Sequence, residues 1–62
     1  MTNEELKHVR ASMNLTQDEL AELIHVHKMT VSRWERGTTK IPKYIADLIR
    51  YRYADRILGE DK

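Results

Sequence analysis

Apolar residues along the chain fall into four clusters, each with the spacing of one side of an α-helix. Leu6, Val9 and Met13 stand at i, i+3 and i+7. Thr2 with Glu5 three residues on forms a capping box, so the first helix is predicted to start there. A second box, Thr16 with Glu19, is flanked by Leu15 and Leu20 at the N′ and N4 positions of a hydrophobic staple. Leu20, Leu23 and Ile24, with Ala21 beside them, supply the buried stripe of a short helix over residues 17 to 24. No segment reads as a strand.

His25, Val26 and His27 are too few for anything but a tight turn. With His27 as N-cap of a third helix, Val26 and Val31 form another staple. Gly37 closes that helix where a left-handed conformation is needed. Thr38 to Lys40 is loop, and Pro42 suits the first turn of a fourth helix. Ile41, Ile45, Leu48 and Ile49 turn toward the core, and the pattern continues through Tyr53, Ile57 and Leu58 until Gly59. The last residues, 59 to 62, are expected to fray.

The stretch from 27 to 37 divides at about 100° per residue. Thr30, Val31, Trp34 and Glu35 fall on one side, and Lys28, Met29, Ser32, Arg33 and Arg36 share the other. Trp34, the single tryptophan, lies with Val31 and reads as a core anchor rather than a base-stacking platform.

A net charge of +1 says little until it is divided along the chain. Residues 1 to 24 set Lys7 and Arg10 against Glu4, Glu5, Asp18, Glu19 and Glu22. Residues 25 to 43 set Lys28, Arg33, Arg36, Lys40 and Lys43 against Glu35 alone, and the remainder balances. Such a concentration fits phosphate binding, and it fits a solvated helix face equally well. Charge alone does not choose.

The 62 residues form one small domain with no cysteine, so neither disulfides nor thiolate metal sites are expected. The cysteine-free composition fits a reducing compartment. No apolar run approaches the roughly 18 residues of a membrane span. The acidic, polar start "MTNEELKH" does not read as a signal peptide, and the cytoplasm is the expected location. His25 and His27 are two apart in a turn and His8 is on another helix, without a carboxylate or thiolate at helical spacing. No zinc site or other cofactor is expected. Ser12 and Ser32 lack an indicated base and oxyanion hole, so no enzyme is expected either.

Two short helices joined by a three-residue turn, the second with a polar outward face, describe a helix-turn-helix. "LTQDELAELIHVHKMTVSRWERG", residues 15 to 37, resembles the DNA-binding core of the phage repressor and Cro-like family, also called the xenobiotic-response-element (XRE) family. The resemblance runs from about Leu6 to Ile49, and its "LTQxELAEL" opening with the "VSRWERG" ending makes it specific. It implies an all-α fold, a compact lambda-repressor-like domain of four or five helices with the motif over about 16 to 37. Two positions depart from the family pattern. His25 stands where Gly is usual, and His27 where Ser, Thr or Asp usually caps.

By that resemblance the second helix of the motif enters the major groove, and Lys28, Met29, Ser32 and Arg33 read bases. Arg33 or Lys28 suits guanine O6 and N7, Met29 a thymine methyl, and Ser32 either a donor or an acceptor. Gln17, at the start of the second helix, resembles the family's phosphate-clamping glutamine, and His27, Arg36, Lys40 and Lys43 are candidates for the DNA backbone. The family pattern also resembles an Arg–Glu pair between Arg10 and Glu35, fixing the recognition helix to the scaffold.

The implied activity is sequence-specific double-stranded DNA binding by a transcription regulator, expected to be a repressor. It would occlude a promoter as a homodimer on an inverted repeat, because one helix-turn-helix buries little surface. Tyr44, Leu48, Tyr51 and Leu58 recur along a second apolar stripe, and residues 44 to 58 are the candidate dimerisation region. Two rivals remain: an antitoxin-like module using that stripe on a protein partner, and an RNA-binding regulator using the basic face.

Overall fold

A computed structural model describes residues 1 to 57 and residue 59. It is all-α, with α1 at Asn3–Ser12, α2 at Gln17–Leu23, α3 at Lys28–Arg36 and α4 at Lys43–Ile57. Among the described residues there is no strand. Helix α4 is described as far as Ile57, and Leu58, the next residue, lies outside the described residues.

The helix starts are made by side chains close in sequence. Thr2 accepts from the Glu5 N–H at 3.0 Å, and Glu5 accepts from the Thr2 N–H at 3.2 Å. Thr16 and Glu19 repeat the exchange at 3.1 and 2.9 Å. Each box satisfies amide donors that a helix leaves without intrahelical partners.

The first three helices end in one way. Asn14, His25 and Gly37 adopt left-handed conformations with φ of 60°, 61° and 77°. The N–H of the next residue then reaches back five places in each case: Leu15 to the Arg10 carbonyl, Val26 to Ala21 and Thr38 to Arg33, at 3.2, 2.9 and 3.1 Å. This is the Schellman closure, which returns the chain sharply and occupies carbonyls otherwise left open. Leu15 and Val26 pack on the core directly after their turns. Glycine takes the conformation freely at 37, whereas a side chain at 25 carries strain of about 1 kcal/mol.

The core is built from all four helices. Leu6, Met13, Leu20, Ile24, Val31, Trp34, Ile45 and Ile49 form one buried cluster, with Ala21 among them. Leu6, Leu20, Val31 and Ile49 are fully shielded, each contributing about 1.5–3 kcal/mol by leaving water. Leu23, predicted in the stripe of α2, and Ile41 are only partly buried against this cluster. The result is a platform under α3, with α1 and α2 packed against its inner side.

Candidate nucleic-acid interface

Helix α3 is fixed at both ends and along one side. Its N-cap is His27, whose imidazole Nδ1 accepts the Met29 N–H at 3.0 Å. That bond occupies one ring nitrogen and leaves Nε2 as the remaining polar atom of His27. At the other end the Arg33 carbonyl accepts from both the Thr38 N–H and the Thr38 hydroxyl, each at 3.1 Å. Val31, Trp34 and Glu35 are buried beneath.

Trp34 lies in the core cluster, so its ring is not offered to a base. Lys28, Met29, Arg33 and Arg36 are exposed, Met29 at 42%, while Ser32 and Thr30 are half-buried at the border. The outward face therefore carries two guanidiniums, one ammonium and one flexible thioether. A thioether left in water beside cations suits a surface that meets both phosphates and base methyls.

The anchoring side centres on Glu35, only 3% exposed. Arg10 reaches it from α1, donating Nε to Oε2 at 2.6 Å and Nη2 to Oε1 at 3.0 Å. The paired geometry is the fork-to-fork arrangement that makes Arg–carboxylate contacts both strong and directional. The hydrogen bond to Glu35 is the largest influence on Arg10; with the attraction of that carboxylate it outweighs desolvation and raises the guanidinium's pKa above its ordinary value. Arg10 also donates Nη1 to the Leu15 carbonyl at 2.9 Å, holding the turn between α1 and α2. Asn3 closes the assembly from below, its amide donating to the Glu35 backbone carbonyl at 3.3 Å.

Gln17 is placed at the start of α2, half-buried, with its Nε2 donating to Glu35 Oε1 at 2.9 Å. The family resemblance implies a backbone contact for Gln17 and gives no sign of this inward bond. It spans 18 residues, so no local periodicity points to it. Beyond α3, Lys40 and Lys43 are exposed, and Lys43 Nζ lies 3.4 Å from Asp47 Oδ2 one turn along α4. That partner was at helical spacing and legible in principle.

Tyr44 and Tyr51 are 73% and 67% exposed on the outer side of α4. Leu48 is instead packed partly against the core, so it contributes only an edge to the outer stripe. Leu58, the last residue of that stripe, lies outside the described residues.

A helix-turn-helix family model matches residues 6 to 49. The chain belongs to the XRE-type helix-turn-helix family. That family comprises DNA-binding regulators and is not an enzyme family. Two curated relatives match. The HTH-type transcriptional activator BcrR of Enterococcus faecalis is 46% identical over 35 residues, covering 56% of this chain and 17% of that protein. Antitoxin PezA of Streptococcus pneumoniae serotype 4 is 33% identical over an alignment of 66 residues, covering all of this chain and 41% of that protein. The chain thus spans less than half the length of either relative. No solved structure gives a significant match. No described helix is long and apolar enough to cross a membrane.

Proposed function

We propose that the chain is a sequence-specific double-stranded DNA-binding transcription regulator that represses by occluding a promoter, as a homodimer on an inverted repeat. One observation carries the reading: α3 presents Lys28, Met29 and Arg33 outward while a buried carboxylate, a core tryptophan and caps at both ends hold it still. Base edges are read by hydrogen bonds that need fixed donors, and a helix anchored in this way supplies them. In this reading Lys28, Met29, Ser32 and Arg33 face base edges. Gln17, His27 (through Nε2), Arg36, Lys40 and Lys43 meet phosphates on either side.

The dimer follows from affinity. A single module offers few phosphate contacts, and two half-sites about 34 Å apart, one helical turn, multiply them. Exposed Tyr44 and Tyr51 are the groups we assign to the contact between copies. The location that fits such a role is the cytoplasm, where duplex DNA is met directly.

Selection of the preferred site from random duplexes tests the reading. The expected product is an inverted repeat with half-sites one turn apart, bound with an affinity that falls steeply with salt. Equal binding to unrelated duplex, or preference for hairpin RNA over duplex DNA, would overturn it.

A second reading is favoured by the likeness to antitoxin PezA, which extends over the whole chain. In it the same domain binds DNA and the tyrosine-bearing side of α4 serves a protein partner instead of a second copy. A chain that stays monomeric at all concentrations yet binds its operator would favour this alternative.

A further inference from the structure

The Glu35 carboxylate accepts three side-chain N–H bonds, two from Arg10 and one from Gln17. Arg10 alone neutralises the buried charge, so the Gln17 bond is not needed for electrostatic balance. Its effect falls on Gln17. A primary amide is planar and carries two N–H groups on one nitrogen. Once one N–H is committed to Glu35 Oε1, the direction of the other and of the amide oxygen is set as well. A free glutamine on a helix surface explores many rotamers and must give them up on meeting a ligand.

We propose that Glu35 is a positioning residue for the DNA backbone: it holds the Gln17 amide so that the second N–H is presented to a phosphate. The inference rests on the reading of Gln17 as a backbone contact of a duplex-binding protein. It makes the group that anchors α3 also the group that aims the phosphate contact. The recognition helix and the backbone contact are then in register through one carboxylate, with no freely rotating side chain between them. Arg10 completes the device. By compensating the charge of Glu35 it keeps a bare carboxylate from standing behind the amide and repelling the phosphate.

Duplexes of the selected operator with a single uncharged methylphosphonate, moved along the backbone, give the test. Wild type should lose affinity at several positions, and Gln17→Ala should lose sensitivity at one position per half-site only. Arg10→Met combined with Glu35→Leu removes the acceptor without stranding a charge. It should lose the same sensitivity, about tenfold for one immobilised side chain and its bond, while keeping the others. Arg10→Lys leaves Glu35 in place and should keep it. The proposal is overturned if the double variant retains full sensitivity at the Gln17 phosphate. If Gln17→Ala itself leaves every position unchanged, Gln17 is not a backbone contact, and that reading falls first. A measurement on the wild type covers failure of the double variant to fold. In the nuclear magnetic resonance spectrum, the Gln17 amide proton bonded to Glu35 should lie downfield of its place in a free glutamine, and operator should move the other proton far more. Both protons at free-glutamine positions, or equal movement of both, would also overturn it.

Discussion

Helix α3 turns Lys28, Arg33 and Arg36 to solvent above a buried Trp34, whereas α4 turns out Tyr44 and Tyr51 above a buried Ile45 and Ile49. The fastening differs as much as the faces. Arg10 and Gln17 hold α3 through short bonds to a carboxylate that is 3% exposed. The charged tie from α4 back to α1 is Arg50 with Glu5 at 3.8 Å, both half in water, and pairs of that kind contribute about 0–1 kcal/mol. Otherwise α4 is held by apolar packing. Directional bonds fix orientation as well as position, which the reading of base edges proposed for α3 requires. Apolar packing is non-directional, and it suffices for a helix whose outer side carries two exposed tyrosines among charged residues and need not aim single donors.

The strongest test of this contrast removes the fastening of α3. Arg10→Met leaves a carboxylate buried with only the Gln17 amide beside it, and stranding a buried charge costs roughly 3–5 kcal/mol. Adding Glu35→Leu removes the stranded charge, so the double variant should melt higher than Arg10→Met alone. Thermal unfolding of the two single variants and the double gives the coupling directly. Simple additivity of the two changes would mean that the pair contributes nothing as a pair.

On α4 the corresponding change should leave the monomer intact. Tyr44→Ala with Tyr51→Ala removes two exposed rings, so the melting temperature at low concentration should barely move. Self-association should weaken by about thirtyfold or more, the ~2 kcal/mol of an anchoring aromatic at an interface. Sedimentation equilibrium across a concentration series reads this. An unchanged dissociation constant would place the contact between copies away from this side of α4.

What could be read from the sequence follows the same division between local and long-range. The boxes at Thr2 with Glu5 and Thr16 with Glu19 are three-residue relations, and both are in place. The cap at His27 and the reversal at Gly37 were legible because a backbone position dictates each, and so was the burial of Trp34 from its angle to Val31. One helix end was not: Asn14 takes a left-handed conformation that its side chain permits without announcing, whereas His25 takes the one implied by the glycine usual at its place. At Leu48 the apolar pattern allowed both sides of α4, and packing decided for the core edge. The Gln17 bond to Glu35 was beyond any periodicity, since it exists only once α2 and α3 are packed together.

Within the polar face itself, the expected roles separate by what each group touches. Arg33 extends outward from the middle of α3, and its backbone carbonyl is held twice by Thr38, so its stem starts from a fixed point. Arg33→Ala should cost roughly 1–3 kcal/mol at the preferred site and relax selection at one base position per half-site. Binding measured on single-base variants of the site reads both effects. Uniform weakening on every sequence would reassign Arg33 to phosphate and leave Lys28 as the reader of that base.

The smallest effect concerns Lys43, which is exposed and shared with Asp47 at 3.4 Å. As a phosphate-binding group it should act on all sequences alike. Lys43→Ala should weaken every duplex about equally and flatten the logarithmic salt dependence by roughly 0.9 for each phosphate no longer neutralised. Asp47 works in the opposite direction, because its carboxylate competes with phosphate for the same ammonium. An exposed pair one helical turn apart is worth about 0.3–0.5 kcal/mol. Asp47→Asn, which releases Lys43 and removes a negative charge near the DNA, should therefore raise affinity by about twofold on preferred and unrelated duplex alike. The gain should vanish in the Lys43→Ala background if it passes through that lysine. A gain of the same size without Lys43 would show Asp47 repelling the backbone on its own account, and a gain confined to the preferred site would put this corner of α4 at a base edge.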